Sequence, residues 1–460
     1  MKKIYFLVLL SLAFAMLSAS AQPFVAEYFH EKIIVVGFDA KIIDNPQGRI
    51  DYSTENGVVQ IGVAGFDQLA QEYQFVELEQ MFQNIKYKEW NEDGIYLQNI
   101  YRVVLAENAQ IETAVKALAA DSDILFAEYE TINRPRYTPN DPNFSTQWHH
   151  PVIKTPETWD YTIGSDEIIV GIVDSGVYFT HEDLRDNIWI NEAELPGFDI
   201  DQILETGVIN GGDGIDNDGN GYVDDVIGYN FHGSGSNQAY QYYESNDHGT
   251  HVAGCAGAVG DNEIGLVGSS LNVKIMGTRH APTNEDYPYV QNGYDGITYC
   301  VDSGAQIINC SWGGPGSGTM PNSVINYATS NGALVVTAAG NSNTEHTNYY
   351  QDYPADATNA LCVAATDQYD NKAGFSDFGE PIDISAPGVG IQSTIIGGSG
   401  YSAFNGTSMA SPVVAGVAAL VLSMNPDLQP LELRGRLMDT ADNIDANNED
   451  YIGLLGAGRV

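Results

Sequence analysis

The chain has 460 residues, 43% of them hydrophobic, enough for a large buried core and for more than one domain. It carries 61 acidic against 19 basic side chains, a formal net charge of -42. Such a surface repels nucleic acid and anionic lipid, which argues against both as partners and leaves solubility, salt tolerance or cation binding as uses for the excess acid.

Lys2 and Lys3 precede an apolar run at 4–17, followed by Ser18-Ala19-Ser20-Ala21-Gln22. A basic start, a short apolar stretch and an Ala-x-Ala site predict a signal peptide over 1–21 and a secreted, soluble product. No later stretch reads as a transmembrane helix. Residues 22–136 form a separate small α+β segment, in which a strand at 101–105, a helix at 111–119 and a strand at 124–129 have the size of one β-α-β unit. The Pro-rich polar stretch 133–142 reads as an exposed linker.

From about 137 to 460 the pattern changes. Short apolar runs at 168–173, 273–276, 306–310, 333–337, 361–365 and 382–385 alternate with helical segments such as 294–303 and 321–330. That alternation predicts an α/β fold, a three-layer sandwich around a mostly parallel sheet covered on both faces. Functional groups then gather at the carboxyl ends of the strands. A Gly- and Asp-rich insertion without apolar periodicity lies between 191 and 229. Cys255, Cys300, Cys310 and Cys362 sit in apolar segments and read as small buried hydrophobes. Export would permit one disulfide, but sequence does not say which pair.

Three polar motifs interrupt this frame. Ile169-Val-Gly-Ile-Val-Asp174-Ser-Gly176 ends an apolar strand in a carboxylate. Asn246-Asp-His248-Gly-Thr-His251-Val-Ala-Gly254 opens a small-residue helix with two histidines, and spacing does not choose between them. Asn405-Gly-Thr-Ser408-Met-Ala-Ser-Pro412 leads into an apolar helix at 413–424. Pro412 fits that helix in its first turn, which puts Ser408 at a helix N-terminus where free N–H groups favour developing negative charge. Ala338-Ala-Gly-Asn341 ends another strand with a side-chain amide. A hydroxyl, a base, a carboxylate and an amide donor are the parts that acyl transfer by serine requires.

The motifs Val173-Asp-Ser-Gly-Val177, His248-Gly-Thr-His-Val-Ala-Gly254 and Gly406-Thr-Ser-Met-Ala-Ser-Pro412 closely resemble the three signatures of the subtilisin-like serine proteases. The resemblance runs from about Pro139 to Val460, with a weaker echo in 22–136. It implies a secreted serine endopeptidase with Ser408 as nucleophile, His248 as general base and acid, Asp174 orienting the imidazole, and Asn341 in the oxyanion hole. It also implies that Ser311, Trp312 and Gly313 form one wall of the primary specificity pocket and Ala338, Ala339 and Gly340 the other. Asp352 is either near the pocket floor, where it would favour a basic P1 residue, or a solvated loop carboxylate. Protein and peptide substrates are the implied partners. Residues 22–136 would act as an intramolecular inhibitor and folding aid, removed by autoproteolysis near 136–138, and the mature enzyme would be a monomer. Val413 departs from the histidine common in the family, at a position that is not catalytic. The ending Gly-Ala-Gly-Arg-Val460 resembles a segment that continues into a helix in relatives.

No cofactor is needed for this chemistry, but structural calcium is expected. Asp216, Asp218, Asn220 and Gly221 match the opening of an EF-hand-like loop, with Ile227 where a glutamate belongs. Asp224 or Asp225 would supply the missing carboxylate. Resemblance to calcium-stabilised relatives implies a second site from Asp141, Asp183 and Asn262 with backbone oxygens of Val259, Ile264 and Leu266. Two rival classes are a catalytically silent binding protein on the same fold and a calcium-dependent adhesion module. The filled catalytic positions disfavour the first, and the second leaves the triad unexplained.

Overall fold

The computed structural model describes residues 29–42, 49–83, 96–107, 109–132, 137–233, 235–237, 247–282, 290–347, 350–397 and 399–460. The expected signal peptide and the Arg136 side of the expected processing junction lie outside the described residues. The chain divides into two compact units, residues 1–135 and 136–460.

In the first unit four antiparallel strands lie in the order Phe75–Gln80, Ile100–Leu105, Phe29–Phe38, Ile124–Thr131. The strand, helix, strand order expected from sequence is present, but Phe29–Phe38 pairs between the two strands, so the β-α-β unit is split. The connecting helix Ile111–Ala119 buries Ile111, Ala114, Val115 and Leu118. That i, i+3, i+4, i+7 spacing lays one apolar stripe on the sheet, where it joins Ile34, Val36, Phe66 and Val103.

The second unit is an α/β sandwich. Six parallel strands lie in the order Ile384–Pro387, Leu361–Thr366, Leu334–Ala338, Ile307–Cys310, Gly164–Asp174, Asn272–Arg279. Their side chains alternate between two cores. Val170, Ile172, Ile307, Leu334 and Val336 join one core with the helices His248–Gly257 and Thr407–Met424. Val173, Ile308 and Val335 join the other with Gly293–Asp302 and Thr319–Ser330. Burial on both faces is why these strands read as nearly unbroken apolar runs.

Several expectations need correction. The helix carrying Ser408 begins at Thr407, so Pro412 sits inside it, one turn from its start. Pro412 has no N–H to donate to the Ser408 carbonyl. The Ser311 hydroxyl donates to that carbonyl instead, at 2.8 Å. By length and hydropathy, Thr407–Met424 is apolar enough to cross a membrane, contrary to the reading of the sequence. It is 72% buried and forms the central helix of the core. All four cysteines are buried free thiols, in line with the reading of their apolar segments. The insertion also contains a helix, Ile200–Thr206, capped by Asp199 accepting from the Gln202 amide and ended by Gly207 in the left-handed region. Its Ile203 is fully buried in the main core.

Candidate active site

Asp174 is the last residue of its strand, His248 the first of its helix and Ser408 the second of the long core helix. Asn341 follows the end of strand Leu334–Ala338. Strand ends place Asp174 and Asn341, and helix starts place His248 and Ser408, although all four are remote in sequence.

His248 Nδ1 lies 2.8 Å from Asp174 Oδ1. A carboxylate only accepts, so Nδ1 carries the proton and Nε2 is left to exchange one. The Ser175 amide donates to the same oxygen at 2.6 Å, and Asp174 is buried, its Oδ2 without a partner among the described residues. Burial lowers the His248 pKa, but the Asp174 charge and hydrogen bond outweigh it and hold the imidazole above its ordinary 6.5. His251, the other histidine of the motif, is buried and stacked on Phe404 with ring centroids 4.2 Å apart. Burial pushes it down to about 3, so it stays neutral and structural.

A cavity of about 390 Å³ is lined by His248, Ser408 and Asn341 together. Asn341 Oδ1 accepts from the Thr407 amide at 2.9 Å and the Thr407 hydroxyl at 3.1 Å, which leaves its amide nitrogen as the group it can offer to that cavity. The Ser408 hydroxyl donates to the Ser311 carbonyl over 3.3 Å. A hydroxyl, an imidazole held by a buried carboxylate, and an amide donor therefore meet at one opening beside a helix N-terminus.

The Subtilase family profile matches residues 165–457. The chain belongs to the subtilase family. It is 35% identical over 335 residues to the thermophilic serine proteinase of Bacillus sp. (strain AK1), covering 73% of this chain and 71% of the relative. It is 36% identical over 309 residues to thermitase of Thermoactinomyces vulgaris, covering 67% of this chain and 93% of that protein. A solved protease structure from Pseudoalteromonas arctica PAMC 21717 superposes with a TM-score of 0.54 at 29% identity, over 70% of this chain and 97% of the other. This subtilase is therefore a serine endopeptidase with the α/β fold of that family.

Next to Ser408 the subtilase has a second cavity, about 200 Å³, lined on one side by Ser311, Trp312 and Gly313 and on the other by Ala338 and Gly340. Ala339, expected in that wall, turns its side chain the other way, into a cluster with Ala355 and Cys362, because side chains of extended chain alternate. Trp312 is fixed by its indole N–H donating to the Val173 carbonyl at 2.8 Å. Asp352 is not a solvated loop carboxylate: it is 8% exposed and lines this cavity. Asp377, which sequence reading missed, lines it as well.

Of the residues expected to bind metal, Asp183 is fully buried. It accepts from the Leu266 amide at 2.8 Å and the Asn262 side chain at 2.9 Å, while its backbone carbonyl takes the Val259 amide. Asn262 Oδ1 takes the Ile264 amide. Asp141 is buried with Oδ1 lacking a partner among the described residues. Burial without compensating positive charge pushes Asp183 up to about 7 and raises Asp141. These carboxylates fit a divalent cation, which would supply that charge. In the insertion, Asp216 and Asp218 meet Glu194, with oxygens all within 4.8 Å of one another. Glu194 was not expected: it comes from a short turn, Glu192–Glu194, well before the loop. Asp224 is not drawn in. Its amide donates to Glu194 and its carboxylate faces the Gly214 amide. Asp225 is buried beside the group, accepting from Tyr299, Asn191 and Asn220, and burial pushes it up to about 6.

Proposed function

We propose that this subtilase is exported as a proenzyme and hydrolyses extracellular proteins through Asp174, His248 and Ser408. The observation that supports this best is the 2.8 Å His248–Asp174 bond beside a cavity that His248 shares with Ser408 and Asn341. His248 Nε2 takes the Ser408 hydroxyl proton as Oγ bonds to the substrate carbonyl carbon. The carbonyl oxygen becomes an oxyanion, met by the Asn341 side chain and the Ser408 backbone N–H. The intermediate collapses, the C–N bond breaks, and His248 returns the proton to the departing amine. Water then repeats the sequence on the acyl-enzyme, releasing the acid and restoring Ser408. Segment 311–313 would pair with extended substrate through its backbone, which gives affinity without dependence on most side chains.

In the same reading, residues 1–21 direct export and 22–136 inhibit the mature monomer until cleavage near 136–138. Calcium would be held by Asp141, Asp183 and Asn262 with the oxygens of Val259, Ile264 and Leu266, and by Asp216 and Asp218 together with Glu194. Its role is structural, neutralising buried carboxylates. A fluorophosphonate probe tests the assignment: mass spectrometry should find it on Ser408 in wild type and find almost none in His248→Ala. Labelling elsewhere, or undiminished labelling in that variant, would contradict it.

A further inference from the structure

Resting on that reading of Ser408, we infer that the cavity beside it is an anionic specificity pocket that selects lysine or arginine at P1, with Asp352 as the specificity-determining residue. Two carboxylates, Asp352 and Asp377, line a cavity whose facing walls are Ser311, Trp312 and Gly313 on one side and Ala338 and Gly340 on the other. Both walls are made of glycine where the carboxylates approach. A Cβ on Gly313 would fall 2.2 Å from Asp352 Oδ1, and one on Gly340 would fall 2.2 Å from Asp377 Oδ2. Neither wall could carry a side chain without displacing an acid.

Charge counting gives the preference. Behind the pocket His346 is fully enclosed, Nδ1 2.7 Å from Asp356 Oδ1 and Nε2 3.6 Å from Asp377 Oδ2. Asp356 also takes the Asp352 amide at 2.8 Å. Three carboxylates, at 352, 356 and 377, therefore share one buried imidazole. Burial lowers the His346 pKa, but Asp356 and Asp377 outweigh that and raise it to about 9, so it is a cation at neutral pH. Lys372 feels Asp377 but is bonded to Asn343 and to the carbonyls of Ala373 and Ser376, and it does not line the pocket. Even with both cations counted, the three acids are in excess. Asp377 spends one oxygen on the Ser342 and Thr344 amides, a structural duty. Asp352 takes an amide from Gly314 and is the acid that a P1 cation would meet with least rearrangement. A buried acid left with excess charge is stabilised by a bound cation and disfavours an apolar or acidic side chain.

The same burial makes the preference titrate. Burial first, opposed by His346 and reinforced by Asp356 and Asp377, pushes Asp352 up to about 6. Among the described residues, Tyr294, Tyr350 and Cys362 also lie in its range; all are raised above their ordinary values and are neutral there. Below about pH 6, Asp352 protonates and the pocket loses its selectivity for cations.

The test is kcat/KM on peptides differing only at P1, Arg, Lys, Phe or Asp, for the mature wild type, Asp352→Asn and Ser408→Ala. Wild type should prefer Arg and Lys to Phe by at least about tenfold at pH 8. That ratio should fall as pH drops through 6, and Asp352→Asn should lower it about 10- to 100-fold. Ser408-dependent cleavage with no Arg or Lys preference, or an equal loss on all four peptides in Asp352→Asn, overturns the inference and leaves the protease reading standing. Cleavage that survives Ser408→Ala overturns the reading on which it rests.

Discussion

His248 is poised by two opposed influences of one environment: burial disfavours its charge, and Asp174 at 2.8 Å favours it. The balance lies above 6.5, and a general base must be neutral to accept a proton. The acidic limb of kcat/KM should therefore fall above pH 6.5, with activity lost as pH drops through it. Asp174→Asn should move that limb down and reduce the rate by about 10,000-fold, read from a pH–rate profile. A limb that stays in place would remove Asp174 from the assignment. At this scale the sequence was most informative where chemistry is local. Spacing could not separate His248 from His251, and contacts do: one imidazole meets a carboxylate at an opening, the other stacks on Phe404 in the interior.

Among elements, the long core helix joins Ser408, the proposed nucleophile, to the fold. Pro412 interrupts its hydrogen-bond ladder at the carbonyl of Ser408, and Ser311 from the pocket wall fills the gap. Ser311→Ala would leave a buried carbonyl unsatisfied and should cost about 1–3 kcal/mol by denaturant unfolding. An unchanged midpoint would mean the helix tolerates the gap. Buried parallel strands read as apolar runs, so all six were legible to within a few residues. The helix start at Thr407 was not, because Pro412 reads as a first-turn residue. Asp377 and Glu194 were missed for another reason: each joins its partners only through tertiary contact, and nothing local marks either one.

For the whole molecule, charge dominates. At -42 the chain repels itself, and among the described residues several acids are buried without a cation beside them, Asp183 and Asp225 included. Calcium should therefore act as a folding ligand. Chelation of the Ser408→Ala protein, which cannot digest itself, should lower its unfolding midpoint, and calcium at about 100 times its Kd should restore about 2.7 kcal/mol. Asp183→Asn should shrink that response; a midpoint indifferent to chelator would remove calcium from the account. Ser408 is proposed to perform the hydrolysis, and assays of purified wild type and Ser408→Ala on casein with calcium present decide whether it does. A loss of at least about 10,000-fold is expected in a variant that stays folded. Undiminished hydrolysis by that folded variant would contradict it.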